Sequence, residues 1–351
     1  MTASHDRRNG DPVGIDPGAV TSWLASNVEG ATPPVTFELI AGGRSNLTYR
    51  VEDALDHVYA LRRPPISHVL PTAHDVTREH RIMTALFPTG VPVPRTLGIC
   101  SDVSINGAPF LVMEFVDGHV VRDAADAVAM SSATRRAIGP NMAETLAELH
   151  GIDTQSIGVG DFGRPDGYID RQIRRWSEQY RSTVGSRYDD LVLGVASRLS
   201  SLVPTQQGSG IVHGDYRLDN VVVDDVGRVR AVLDWEISTT GDPLADVGLL
   251  MVYWAEPGDG EDFLGATPAT TAPDFSTREE LLTCYESASG RDLSDIGFYM
   301  AFGYWKLACI LQGVFTRYSA GAKAGDQTSV DVYPRTIGRL AELAATTLES
   351  R

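Results

Sequence analysis

Cysteine is scarce in this 351-residue chain: three residues, Cys100, Cys284 and Cys309, far apart and with no C-x-x-C pair. An odd, scattered set of this kind excludes a disulfide framework or a zinc site and leaves three small core residues. Long apolar runs are missing as well, for no stretch approaches the roughly 18 uninterrupted apolar residues of a membrane helix. The opening MTASHDRRNGDPVG carries no apolar segment of signal-peptide type, so the cytoplasm is the expected setting, with no membrane partner. Positive charge is in short supply: 30 Lys and Arg stand against 46 Asp and Glu, a net charge of -16. That balance counts against a nucleic-acid partner bound by neutralising phosphates. Internal repeats are absent, and the one biased segment is the Thr/Ala/Pro-rich loop GATPATTAPDFS, which reads either as a flap or as a linker.

What is present is the composition of an ordinary globular protein, 42% apolar and 22% charged, with room for roughly two domains of about 100 to 200 residues each. Residues 1–14 read as a flexible tail. IDPGAVTSWLASNV then predicts a helix capped by Asp16 with Pro17 in its first turn. VTFELIAG, NLTYRVED and HVYALRRP alternate as strands, TAHDVTREHRIMTALF has helical spacing with Val76, His80, Met83 and Leu86 on one side, and RTLGICS and PFLVMEFVDG add two strands. After Gly118 the pattern becomes helical, interrupted by strands IVHG, NVVVDD and VRAVLDW. The expectation is a small β lobe and a larger helical lobe, with a ligand cleft where such lobes meet.

IVHGDYRLDNVVV packs polar groups between two β-branched runs. His213, Asp215 and Asn220 have the H-x-D-x-x-x-x-N spacing of kinase-type phosphoryl transfer. A strand end can present Asp215 to an acceptor hydroxyl as base, and the following turn lets Asn220 offer an amide oxygen to a metal. VVVDDVGRVRAVLD then folds back as a hairpin and returns Asp234 to the same place. Magnesium favours one or two carboxylates plus phosphate oxygens, which makes Asn220 and Asp234 the expected ligands beside a triphosphate. The competing reading is a polar turn with Asp234 at a plain strand end; either aspartate alone favours it, and the combined spacing behind a β-rich lobe reverses the balance. His213 is expected to orient the loop rather than to act as base. Asp242 and Pro243 read as a helix start, and Asp246 as bonding within its own lobe.

In their order along the chain, IVHGDYRLDNVVV, AVLDWEISTTGDPLADVG and the preceding β-rich region resemble the aminoglycoside phosphotransferase family, a branch of the protein-kinase-like fold that also includes choline-kinase-like enzymes. The resemblance spans about residues 35–320. GGRSNLTYRV, YALRRPP, HDVTREHRIM, VPVPRTLGIC and PFLVMEFVDG are similar to the subgroup found beside or fused to acyl-CoA dehydrogenases. The implied fold is α+β and bilobal: a nucleotide-binding N-terminal lobe at 15–117, antiparallel β with one helix and a hinge at its end, then a mainly helical catalytic and substrate-binding lobe at 118–351. The implied activity is transfer of the γ-phosphate of ATP, with Mg2+, to the hydroxyl of a small molecule. The subgroup points to a hydroxyacyl-CoA-type or other metabolite as acceptor rather than an aminoglycoside.

The same resemblance places a phosphate-covering loop at AGGRSNLTY, where Gly43, Ser45 and Asn46 would present N–H groups and small side chains. That loop lacks G-x-G-x-x-G, and a plain Gly-Gly turn stays equally open. Arg62 falls where kinases usually carry a lysine to the phosphates, with Glu79 to hold it; Arg63 points to the opposite face. FLVMEFVDG falls at the hinge, so backbone groups of Glu114 and Val116 would read adenine and Met113 would guard the back of the pocket. Arg217 either neutralises the transferred phosphoryl group or pairs with Asp219 or Asp215. Tyr299, Phe302, Trp305 and Phe315 read as core; Lys306 and Arg317 read as contacts to an anionic substrate or as surface residues. A nucleotide-binding pseudokinase or regulator is the alternative function. A metal-dependent hydrolase using His213, Asp215 and Asp234 leaves the β lobe unexplained. Oligomeric state is not legible.

Overall fold

Cap and turn residues set the elements of the chain, whose computed structural model describes residues 12–41, 46–66, 75–183, 185–259, 268–319 and 330–350. Asp16 accepts from the N–H of Ala19 at 3.0 Å and opens α1 (Pro17–Asn27). There follow β1 (Thr36–Ala41), β2 (Leu47–Glu52), β3 (Val58–Arg63), α2 (Val76–Leu86), β4 (Thr96–Cys100), the short α3 (Val103–Asn106) and β5 (Phe110–Glu114). The strands form one antiparallel sheet in the order β1-β2-β3-β5-β4. Buried Asp53 fixes the β2–β3 turn by accepting from the N–H groups of Thr32, Leu55 and His57 and from the Tyr59 hydroxyl.

One sheet face, with Tyr49, Val51, Leu61, Phe110 and Val112, packs on Val20 and Leu24 of α1 and makes this unit's core. Strand alternation therefore puts Arg62, Ala60 and Met113 on the other face. On α2 the apolar side is shifted from the expected one: Val76, Ile82, Met83 and Leu86 are buried together with Glu79, while His80 is half-buried. Residues 1–11 of the expected tail lie outside the described residues. Val13 and Gly14, at its end, give their carbonyls to Tyr49 and Arg63.

This is one compact unit, drawing its described residues from Met1–Pro88 and Val93–Val116; a second draws from Thr89–Pro92 and Asp117–Arg351. The second contains α4 (Ala124–Ala129), α5 (Ser132–Gly151), α6 (Tyr168–Arg181), α7 (Asp189–Ser201), β6 (Gly210–Val212), β7 (Val221–Val223), β8 (Val229–Val232), β9 (Thr239–Gly241), α8 (Leu244–Tyr253), α9 (Arg278–Ser289), α10 (Ile296–Ser319) and α11 (Val332–Glu349). Among its described residues β7 pairs with β8 and β6 with β9, so one hairpin sits inside a second pairing. Proline 140 interrupts the hydrogen-bond ladder of α5, and the hydroxyl of Ser276 takes the Arg136 carbonyl that it leaves. α8 is buried almost all round and α10 crosses it closely: a Cβ on Gly248 would lie 2.4 Å from the Tyr299 carbonyl carbon. Of the loop 257–276, residues 260–267 lie outside the described residues; beyond them Thr270 is buried and donates to the Ala255 carbonyl at 2.8 Å. No described helix is long and apolar enough to cross a membrane.

Candidate active site

The chain leaves β6 through His213 and Gly214, and Gly214 adopts φ 86°. A Cβ there would also crowd the Ile237 side chain at 3.1 Å, so the turn needs glycine for conformation and for space. From α8, Asp246 takes the N–H of His213 at 2.6 Å on one carboxylate oxygen and the N–H of Gly214 at 2.8 Å on the other. His150 reaches the same carboxylate at 3.4 Å and accepts from or donates to the Tyr285 hydroxyl at 2.8 Å. Burial pushes the Asp246 carboxyl up, but His150, His213 and the Gly214 N–H outweigh it and hold the group below the usual carboxylate range. Burial pushes His150 below its usual value, against the pull of Asp246.

His213 is fully buried, with Nε2 at 2.8 Å from the Leu233 carbonyl and Nδ1 accepting from the Asp215 N–H at 3.2 Å. Both ring nitrogens are occupied by backbone, so His213 shapes the loop and has no lone pair to offer as a base. Asp215 Oδ2 accepts from Asn220 Nδ2 at 2.9 Å, and the same nitrogen reaches the Asp215 carbonyl at 2.9 Å. The amide nitrogen of Asn220 is thereby committed, and its oxygen is the atom left for a cation. Leu233, opposite in the hairpin, donates its N–H to the Asn220 carbonyl at 2.8 Å, and Asp234 follows it in a left-handed backbone conformation, φ 65°. Asp215, Asn220 and Asp234 are thus gathered through hydrogen bonds that meet at Leu233 and Asn220. No cluster of three or more His, Cys, Asp or Glu suited to a metal occurs among the described residues. A cation held here would rest on two protein oxygens and on phosphate, the habit of magnesium.

Arg217 pairs with Asp215 through Nε at 3.2 Å and with Asp219 at 2.9 Å, and its guanidinium lies 5.1 Å from the Tyr253 ring centroid. Burial opposes its charge, yet Asp215, Tyr253 and Asp219 raise the guanidinium above its ordinary value. Burial and the nearby Asp215 carboxylate raise the Tyr253 phenol. Lys306 is buried in α10, with Nζ 3.2 Å from the Gly214 carbonyl, whereas Arg317 is exposed. Tyr299, Phe302 and Trp305 are core, and Phe315 is half-buried. Sequence reasoning passed over Tyr253 and the loop-facing place of Lys306. A lysine inside FGYWKLACIL, apolar on every side of the helix, was the available signal for the second; Tyr253 carried none.

In the first unit, Arg62 Nε stands 3.0 Å from Glu79 Oε2, with both side chains buried. Arg63 turns to the other face and donates to the carbonyls of Pro64, Gly14 and Asn106, a packing role. Asn46, just before β2, has its side chain buried with neither amide atom hydrogen-bonded among the described residues. Gly43 and Ser45 lie outside the described residues. Met113 is buried and Glu114 exposed, and Val116 is half-buried. The N–H of Glu114 donates to the Arg95 carbonyl at 2.8 Å, which removes that amide from any role in reading a base.

An antiparallel five-stranded unit followed by a mainly helical one, with Asp215, Asn220 and Asp234 on one β-hairpin loop, is the arrangement of the kinase-like phosphotransferases. The chain belongs to the Phosphotransferase enzyme family, whose profile matches residues 36–281. Acyl-CoA dehydrogenase family member 11 of Gallus gallus is 35% identical over 297 residues, covering 82% of this chain and 37% of that protein, so the chain spans well under half of that relative's length. A crystal structure from Ralstonia eutropha JMP134, provisionally named an aminoglycoside phosphotransferase, superposes with a TM-score of 0.80 at 34% identity, covering 96% of this chain and 99% of the other. Choline kinase from Cryptosporidium parvum, 13% identical with a TM-score of 0.68 over 95% of this chain and 97% of its own, shares the fold alone.

Proposed function

We propose that this protein is a small-molecule kinase that moves the γ-phosphate of ATP to a substrate hydroxyl, with Asp215 as base. The observation that carries the reading is the Asp215–Asn220 contact at 2.9 Å on a loop whose backbone is held by buried Asp246. Asp215 would take the proton of the attacking hydroxyl as the bond to phosphorus forms. Its orientation is set before any ligand arrives, because Asn220 and Arg217 both address the same carboxylate oxygen. Arg217 would shift from its pairing with Asp215 toward the equatorial oxygens of the phosphoryl group. Arg62, held by Glu79, would grip ATP phosphates with a planar guanidinium, and Asn46 would add an amide to the phosphate loop begun by Gly43 and Ser45. The carbonyl of Glu114 and the backbone of Val116 would read adenine, with Met113 behind it. Asn220 Oδ1 and Asp234 would hold magnesium, which when bound neutralises phosphate charge.

The acceptor we favour is an acyl-type metabolite bearing a hydroxyl. Arg217 and Lys306 beside Asp215 offer two cationic groups on which an anionic acyl or thioester substrate could rest. An ATP-consumption assay over a panel of hydroxyacyl thioesters, amino alcohols and aminoglycosides tests the proposal. Magnesium-dependent turnover should appear with a thioester and fall by about 10²- to 10⁴-fold in Asp215→Ala. Asp234→Ala should lose turnover as well. Full turnover in Asp215→Ala would remove the assigned base, and turnover with aminoglycosides alone would overturn the acceptor class.

A further inference from the structure

Gly214 lies between two charged side chains of opposite sign. Its N–H points to Asp246 of α8 at 2.8 Å, and its carbonyl accepts from the Lys306 ammonium of α10 at 3.2 Å. The next amide, that of Asp215, goes to His213 Nδ1. Every peptide group leading to Asp215 is therefore directed by a buried side chain, and two of those side chains come from α8 and α10. These helices are locked at close range where Gly248 meets Tyr299 and where a Cβ added to Gly303 would lie 3.5 Å from the Gly248 carbonyl oxygen. Among the described residues the Lys306 ammonium has no hydrogen-bond acceptor besides Gly214. A lysine kept charged for packing alone would be expected to gather two or three acceptors.

We propose that Lys306 is a positioning residue for phosphate transfer: its ammonium pins the Gly214 carbonyl against the pull of Asp246 and so sets the direction in which Asp215 leaves the loop. The proposal rests on Asp215 as base. Burial holds Lys306 below the usual lysine range, against the attraction of Asp215 and Asp246. The sign follows: at neutral pH the unfolded chain carries this charge more readily than the folded one, so the ammonium costs stability. Its removal should therefore leave the fold as stable or more so, while the reaction suffers. Misdirection of a reacting group by about 1 Å typically costs on the order of 10²-fold in rate.

The test compares Lys306→Met, similar in volume but without a donor, with Lys306→Gln, which keeps a neutral donor. The expected result for Lys306→Met is a melting temperature equal to or above that of the parent. Amide exchange at residues 213–216, measured on the full chain by mass spectrometry, should be faster by about tenfold or more, since loss of a local clamp shows as local opening. With the best thioester of the panel, kcat should fall by about tenfold or more while the KM for ATP holds, and Lys306→Gln should recover part of kcat. Unchanged exchange in the loop, or a loss confined to KM, would overturn the role. An error in the assignment of Asp215 shows separately, as turnover retained in Asp215→Ala, and leaves the exchange result to be read by itself.

Discussion

At the scale of single residues, the site is built from polar groups whose partners are already decided. Asn220 is the plainest case: both contacts of its amide nitrogen go to Asp215, so Asn220→Asp is not a neutral exchange. It would place a second carboxylate against the first and should lower turnover more than Asn220→Ala does, a comparison made directly by steady-state assay. The Arg62–Glu79 pair poses the same question in the first unit. With both side chains buried, Glu79→Ala removes a carboxylate that stands 3.0 Å from the Arg62 guanidinium, and removal of one partner from a buried pair typically costs about 3 to 5 kcal/mol. Urea unfolding should show that loss, and ATP affinity measured by calorimetry should fall with it because Arg62 is no longer held. Arg62→Lys should spare stability and still weaken ATP binding, since an ammonium replaces a planar fork.

At the scale of elements, strands and long helices were legible because their periodicities are strong. β1 to β5, α5, α6 and α10 all stand where alternation or helical spacing put them. α4 and β9 were not legible: a six-residue helix and a three-residue strand are too short to show a period, and their neighbours decide them. The side of α2 was misjudged at His80, which is half-buried, because Glu79 pairs with Arg62 as expected and turns its own side of the helix inward, where charge ordinarily signals solvent. The loop of the candidate site was readable as spacing, whereas Asp246, Tyr253 and Lys306 approach it from helices later in the chain and leave no local pattern. Gly248→Ala tests the helix pair that carries two of them. A methyl group 2.4 Å from the Tyr299 backbone must push α8 from α10, and overpacking of this kind typically costs about 1 to 3 kcal/mol. The expected outcome is a lower melting temperature together with reduced turnover.

At the scale of the whole molecule, the net charge of -16 and the buried acids make acid the sensitive direction. His150 is held below its usual value by burial, so the unfolded state takes up its proton first as pH falls through about 6.5. Asp246 and Asp53 are both held below the carboxylate range against burial, and their share of stability is lost at lower pH still. All three have the same sign, while Asp219 and Asp242, raised by burial, act the other way in the carboxylate range, so the decline is expected in the histidine window just below neutral pH. In a series of melting curves, His150→Gln should flatten the first part of that decline, between about pH 7 and 5.5. The pairing of β6 with β9 around β7 and β8 has a consequence of another kind. Asp215, Asn220 and Asp234 all lie between the two outer strands, in one uninterrupted stretch of chain. Closure of that stretch needs only contacts near in sequence, which form early and quickly. Asp246 of α8, 33 residues from His213, joins this same local set, whereas Lys306 of α10, 92 residues from Gly214, can reach the loop only after the nascent chain has drawn its outline.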